Sequence, residues 1–189
     1  MTATVILIRH GQSTFNAHFE ATGIDPGHVD ARLTETGHRQ AEAARAQIAA
    51  FPRPDLVIST PLTRALQTTL GIFGGSGIPV EVTCQHREHL ESFCDIGRTP
   101  AELAAEFPGL TFDHLDDPWW HNGPVDHRGL PVEPHEAFTG RVQNFAQWLV
   151  DHPAATVAVI GHGTFFRHLT GRGFANCEIV PWTPGTVLA

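Results

Sequence analysis

The sequence predicts an α/β fold, a three-layer α/β/α sandwich built on a mostly parallel central sheet. Two observations carry that expectation. Short apolar runs alternate with helical stretches along the 189 residues, and that order gives a parallel sheet with helices on both faces. In addition, Thr4-Val5-Ile6-Leu7-Ile8 and Thr156-Val157-Ala158-Val159-Ile160 are nearly continuous apolar runs, the mark of central strands buried on both sides.

The elements follow in order. A short helix is expected from Thr14 to about Phe19, then a loop rich in Gly, Pro, Asp and His from Gly23 to Arg32. Leu33 to Gly37 leads into a helix capped by Thr34, with Ala41, Ala44, Ala46 and Ile48 on its apolar side. Asp55 to Ser59 reads as a strand. Pro61 stands where a proline can start a helix, expected to run to about Phe73. The turn Gly74-Gly75-Ser76-Gly77 ends it; lacking a lysine and the right placement, this run is not a nucleotide loop. Ile78 to Val82 is expected at an edge of the sheet, because its proline cannot complete a two-sided ladder. Pro100 to Phe107 reads as a short helix, and Gly109 to Pro134 as a long irregular stretch. Glu136 to Val150 is amphipathic, with Phe138, Val142, Phe145, Ala146 and Leu149 on one face. Phe165 to Leu169 begins a last helix, followed by short strands near Glu178-Ile179-Val180 and Thr186-Val187-Leu188. There is no interdomain linker, so residues 1–189 are expected to form one domain with an excursion at about 86–135.

Composition narrows the function. The chain is 41% hydrophobic and 17% charged, as in a folded domain with a real core. It has no bilayer-length apolar run and no signal-like start, so a cytoplasmic protein without a membrane partner is expected. A net charge of -8 argues against a nucleic-acid surface, yet local arginines can still hold a small anion. Cys84, Cys94 and Cys177 suggest neither a disulfide framework nor a zinc site. His86, His89, His114, His121, His127 and His135 have no ligand spacing, so no metal and no cofactor is expected.

The chemistry concentrates where two strands each end at His-Gly. Ligands of α/β sheets bind beyond the C-terminal ends of strands. His10 can attack phosphorus as a neutral imidazole. Arg9 and Arg64 can clamp the phosphoryl oxygens through their guanidinium forks and neutralise charge in the transition state. His162, if protonated, can donate to the same group. Gly11 and Gly163 permit close backbone approach. Ser13 and Asn16 either bond the phosphate or serve as a helix cap and a solvated side chain. A phosphomonoester leaving group needs a proton. Glu88 is the leading donor, with Asp30, Glu91 and Asp95 as competitors. Arg87, Phe93 and Arg98 are candidate specificity residues. Trp119 and Trp120 either cover the entrance or anchor the excursion, which could equally carry a homo-oligomer contact.

The run Leu7-Ile8-Arg9-His10-Gly11-Gln12-Ser13-Thr14-Phe15-Asn16 closely resembles the signature of the histidine phosphatase superfamily, the phosphoglycerate-mutase-like fold. Leu33 to Ala41, Ser59 to Thr68, and Gly161-His162-Gly163 resemble its later segments, in the same order. The resemblance implies a covalent phosphohistidine at His10, a phosphate pocket of Arg9, Arg64 and His162, and Glu88 at the acid position. No metal is needed in such chemistry. The segment His86-Arg87-Glu88-His89-Leu90-Glu91 differs from the commonest mutase and simple phosphatase forms, and with Cys94-Asp95-Ile96-Gly97-Arg98 downstream it looks more like a phosphatase-like branch. The expected activity is hydrolysis of a small phosphomonoester, with a phosphoprotein as a further substrate class. The alternatives are mutase-like phosphotransfer and phosphate-ligand binding with little catalysis.

Overall fold

In the computed structural model, which describes residues 4–186, five strands form one sheet in the order β3-β2-β4-β1-β5. The strands are β1 (Thr4–Arg9), β2 (Leu56–Ser59), β3 (Val80–Val82), β4 (Thr156–Gly161) and β5 (Ile179–Trp182). The helices are α1 (Thr14–Thr22), α2 (Glu35–Gln47), α3 (Thr63–Phe73), α4 (Pro100–Glu106), α5 (His135–Asp151) and α6 (Gly163–Thr170). β1 to β4 pair in parallel and β5 runs antiparallel beside β1. This is the three-layer, mostly parallel, phosphoglycerate-mutase-like architecture that the sequence predicts.

The strand pattern explains the layers. Side chains alternate across a strand, so Val5 and Leu7 pack with Val157 and Val159 against Phe138, Phe145 and Phe165 of α5 and α6. Ile6 and Ile8 pack on the opposite face with Ala158 and Ile160 against Ala41, Ala44 and Ala65 of α2 and α3. All eight strand residues are fully buried. The aromatic layer is the heavier one, and truncating a fully buried phenylalanine such as Phe145 is expected to cost about 3–5 kcal/mol. Gly37 earns its place by contact: a Cβ there would stand 2.2 Å from the Gln12 carbonyl oxygen, so only glycine lets α2 pack on the loop after β1.

Most predicted boundaries hold within two residues. Thr34 caps α2 through Gly37 N–H, and β3 is an edge strand. Pro61 does not start α3. The first helical residue is Thr63, and its N–H is capped from a distant loop by Asp30 Oδ1 at 2.8 Å. The last helix begins earlier than expected, at Gly163. The expected strand at Thr186-Val187-Leu188 is absent at Thr186 and otherwise lies outside the described residues. The excursion contains a short 3₁₀ turn (Phe93–Asp95) and α4, then no helix or strand from Phe107 to Pro134. Its Leu103, Phe107, Phe112 and Trp119 close over Leu62 and Leu66 at the start of α3 in one apolar cluster. Among the described residues, no helix is long and apolar enough to cross a membrane.

Candidate active site

β1 and β4 are neighbours in register, Arg9 opposite Gly161. Their two His-Gly endings therefore meet at one edge of the sheet, and the rings of His10 and His162 lie 5.2 Å apart. The loop after β1 is held from every side. His10 N–H donates to the Gly161 carbonyl, Gly11 N–H to Thr68 Oγ1, and Gln12 N–H to Gln40 Oε1. The Asn176 amide and the Cys177 N–H donate to the carbonyls of His10 and Arg9.

His10 is 3% exposed. Its Nδ1 lies 2.7 Å from the Gly11 carbonyl oxygen. A carbonyl only accepts, so Nδ1 carries the hydrogen and a neutral ring keeps its Nε2 lone pair bare. Burial holds His10 well below the usual histidine range, and the charges of Arg64 and Arg9 push the same way. His162 is fully buried, with Nε2 2.7 Å from Thr60 Oγ1 and Nδ1 without a partner among the described residues. Burial, then Arg64, holds it well below the usual range too. It sits behind the cavity wall rather than in it.

The cavity, about 300 Å³, has Arg9, His10, Ser13, Asn16, Arg64 and Glu88 in its wall. Arg9 Nη1 donates to the Phe174 carbonyl at 2.7 Å, while its buried Nε has no partner among the described residues. Arg64 is buried, with Nη1 on the Cys94 carbonyl at 2.6 Å and Nη2 on Asp95 Oδ1 at 2.8 Å. Ser13 caps α1 through Asn16 N–H, and Asn16 Oδ1 accepts in return from Ser13 N and Oγ. That reciprocal cap uses the Asn16 oxygen and leaves its amide hydrogens for the cavity. Gly163 also lines the wall; a Cβ there would stand 3.3 Å from Arg9 Nε.

Glu88 follows β3 and lies at the N-terminus of α6. Its oxygens accept from Thr164 N, Phe165 N and His89 N, each at 2.9–3.0 Å. Glu91 and Asp95 share the cavity wall; Asp30 does not. Asp30 is spent on capping α3 and on Arg98 Nε at 2.8 Å.

Four predicted specificity residues are not brought to the cavity. Arg87 turns to Glu133 and the Cys84 carbonyl. Arg98 is bound by Asp30, Glu106 and Thr63. Trp119 is buried, donates to the Arg98 carbonyl and packs on Gly97 so closely that a Cβ there would clash at 2.0 Å. Trp120 meets it edge to face. For the tryptophans the anchoring alternative is the one the packing supports. Phe93 also lies outside the wall. Sequence reasoning missed Arg167, Phe15 and Phe174, which do line it. Arg167 had a signal: it is four residues after Gly163 and so on the same face of a helix. Phe174 had none, since its contribution to Arg9 is a backbone carbonyl.

Fold and site together define an α/β protein with a histidine and two arginines converging at the strand ends, the makings of a phosphoryl-transfer centre. The chain belongs to the histidine phosphatase superfamily (branch 1), whose family model matches residues 5–178, and it is a hydrolase of the phosphatase-like kind. It is 32% identical over 173 residues to glucosyl-3-phosphoglycerate phosphatase of Mycolicibacterium vanbaalenii, covering 88% of this chain and 72% of that protein. It is 26% identical to phosphoglycerate mutase-like protein 1 of Arabidopsis thaliana, covering 93% and 79%. The fold matches a putative alpha-ribazole-5'-P phosphatase from Escherichia coli with a TM-score of 0.61, at 23% identity over 90% of this chain and 81% of that one.

Proposed function

We propose that the protein hydrolyses a small phosphomonoester through a covalent phosphohistidine at His10, without a metal ion. The observation that carries this reading is the hydrogen bond from His10 Nδ1 to the Gly11 carbonyl oxygen. It fixes the tautomer with Nε2 unprotonated, in a cavity shared with Arg9 and Arg64.

Nε2 attacks phosphorus and the bond to the ester oxygen breaks. Glu88, holding the proton that a monoanionic phosphomonoester brings into the site, delivers it to that oxygen as it leaves. The phosphorylated ring is then cationic, with Nδ1–H still on Gly11. Arg9 and Arg64 hold the equatorial oxygens as charge spreads over them. With Thr60 donating to His162 Nε2, the Nδ1–H is left without a partner among the described residues and is the hydrogen His162 offers the phosphoryl group; His162 then donates as a neutral ring and needs no extra proton. In the second step Glu88 takes a proton from water, which attacks phosphorus and breaks the P–N bond. The products are an alcohol and inorganic phosphate. The Asn16 amide, held by the Ser13 cap, and Gly163 N–H complete the phosphate cradle.

A cavity of about 300 Å³ suits a metabolite of modest size. The relative named for glucosyl-3-phosphoglycerate makes phosphorylated sugars and glycerates the first compounds to try. The test is phosphate release from a phosphomonoester panel in the presence of EDTA, with His10→Ala beside the wild type. EDTA-resistant release that disappears in the variant supports the reading. Label appearing on an acceptor hydroxyl in place of free phosphate identifies a mutase-like transferase. Saturable binding with no phosphoenzyme identifies a phosphate-binding protein.

A further inference from the structure

Arg64 is already engaged before any substrate arrives. Both terminal nitrogens of its guanidinium are held by the same turn, Nη1 by the Cys94 carbonyl at 2.6 Å and Nη2 by Asp95 Oδ1 at 2.8 Å. Arg64 is 3% exposed and Asp95 6% exposed, so solvent screens this pair little. Asp95 is itself fastened: Oδ2 accepts Ser92 N–H at 3.2 Å, and Oδ1 accepts weakly from Cys94 Sγ at 3.6 Å. Unlike a distant second-sphere carboxylate, Asp95 is part of the cavity wall, together with Glu88.

The charges make this arrangement awkward for a phosphate. The cavity wall sets Arg9, Arg64 and Arg167 against Glu88, Glu91 and Asp95, so it carries no net charge when all three carboxylates are ionised. A dianion placed on Arg64 is then set directly against the carboxylate of Asp95. We propose that Asp95 is a built-in competitor for the phosphate clamp: its carboxylate occupies the Arg64 guanidinium that a phosphoryl group requires, so binding of a dianion draws one proton from solvent onto Asp95 and converts it from rival acceptor to hydrogen-bond donor. Asp95 is thus a specificity-determining residue for the ionisation state of the ligand, and this rests on the phosphate-pocket reading given above.

The surroundings of Asp95 agree. Arg64 of α3 favours its ionised form and Glu88, after β3, opposes it; burial is the largest influence, and the carboxyl is pushed up to about 6. Cys94 beside it is a neutral thiol, raised by the same burial. Asp25 and Asp30 act on Cys94 and Arg64 and add negative potential to this side of the pocket. His10, on the other side of Arg64, stays neutral. A dianion approaching Arg64 raises Asp95 further, which is what proton uptake requires.

Sulfate is the probe, because it remains a dianion throughout the range and brings no titration of its own. Calorimetry of sulfate binding at pH 7.5 in two buffers of different ionisation enthalpy counts protons. The wild type is expected to take up about one proton per sulfate and to lose affinity roughly tenfold per pH unit toward alkaline pH. Asp95→Asn keeps an oxygen for Arg64 Nη2. It is expected to bind sulfate with no uptake from this site, a flat pH dependence and higher affinity at pH 8.5. Glu91→Gln, which removes an exposed carboxylate from the same wall, is expected to retain the uptake. Binding without uptake by the wild type overturns the proposal, as does uptake that survives in Asp95→Asn or vanishes in Glu91→Gln. If Asp95→Asn does not fold, the wild-type count and the Glu91→Gln count decide. Absence of sulfate binding, or binding indifferent to Arg64→Ala, fails the phosphate-pocket reading itself and is a different outcome.

Discussion

The ends of β1 and β4 carry the same pattern, an apolar strand running into His-Gly, yet the two histidines are prepared in opposite ways. His10 gives its Nδ1–H to the carbonyl of the next residue and keeps Nε2 bare. His162 commits Nε2 to a threonine on another strand's loop and leaves Nδ1 without a partner among the described residues. Both are buried and both are held neutral by burial and by the arginines. In the proposed mechanism, what separates nucleophile from donor is which ring nitrogen is occupied, Nδ1 by a backbone carbonyl at His10 and Nε2 by the Thr60 hydroxyl at His162, a choice invisible in the motif. Direct observation would sharpen this: nitrogen-15 shifts near pH 7 should show His10 with Nδ1–H and His162 also with Nδ1–H but hydrogen-bonded through Nε2. A cationic ring at either position near pH 7 would sink the comparison.

The largest effect is expected at His10. His10→Ala removes the atom that receives the phosphoryl group, and turnover should fall by a factor on the order of 10⁴ to 10⁶. Acid-quenched protein should then carry no phosphohistidine. In the wild type, protonation of His10 is disfavoured, so the acid limb of kcat/KM due to this residue should lie well below pH 6.5, because activity is lost only as pH falls through the depressed value. His162→Ala comes second. It removes one donor to developing charge, a change worth roughly 10² to 10³ in kcat, while the phosphoenzyme should still form slowly. If His162→Ala abolished phosphoenzyme formation altogether, the two strand ends would not have the separate roles assigned here. Thr60→Val is smaller and tests the cause of the asymmetry. Without a hydroxyl to occupy Nε2, His162 is free to shift its hydrogen, and kcat should drop by about tenfold through loss of one neutral hydrogen bond. KM should change little, since Thr60 lies outside the cavity wall.

The sequence made the floor of the site legible and left its walls obscure, for physical reasons. Arg9, His10, Arg64 and Glu88 are placed by strands and helix starts whose apolar patterns dictate position, and they reach one cavity as expected. Excursion residues were chosen by chemistry alone. Arg87 and Arg98 read as specificity candidates, but the fold pairs them with Glu133, Asp30 and Glu106 instead. For Trp119 the sequence left lid and anchor open; the fold makes it an anchor, because Gly97 makes room for its ring. The N-terminus of α3 shows the same limit, since the cap it lacks locally is supplied by Asp30, 33 residues before Thr63.

A third histidine gives the comparison its control. His86 is fully buried beside the end of β4, stacked 4.7 Å from Phe145, and its Nε2–H donates to the Ile160 carbonyl at 3.0 Å. It lies outside the cavity wall, so chemistry gives it no part in turnover. Burial pushes it down to about 3, with the Ile160 hydrogen bond pulling the other way. Its folded value is below the ordinary 6.5, so the stability it contributes is complete above pH 6.5 and is lost as pH falls toward 3. The unfolded chain takes up the proton first. A shift of this size corresponds to roughly 4–5 kcal/mol across that interval. His86→Gln keeps a donor for Ile160 and removes the titration. Its chemical denaturation midpoint should fall less between pH 6.5 and 4 than that of the wild type, while kcat at pH 7 should change by less than about threefold. An equal loss of stability with acid in both proteins would remove His86 as the source of the acid sensitivity and shift it to the buried His10 and His162 or to arginine-paired carboxylates such as Glu133.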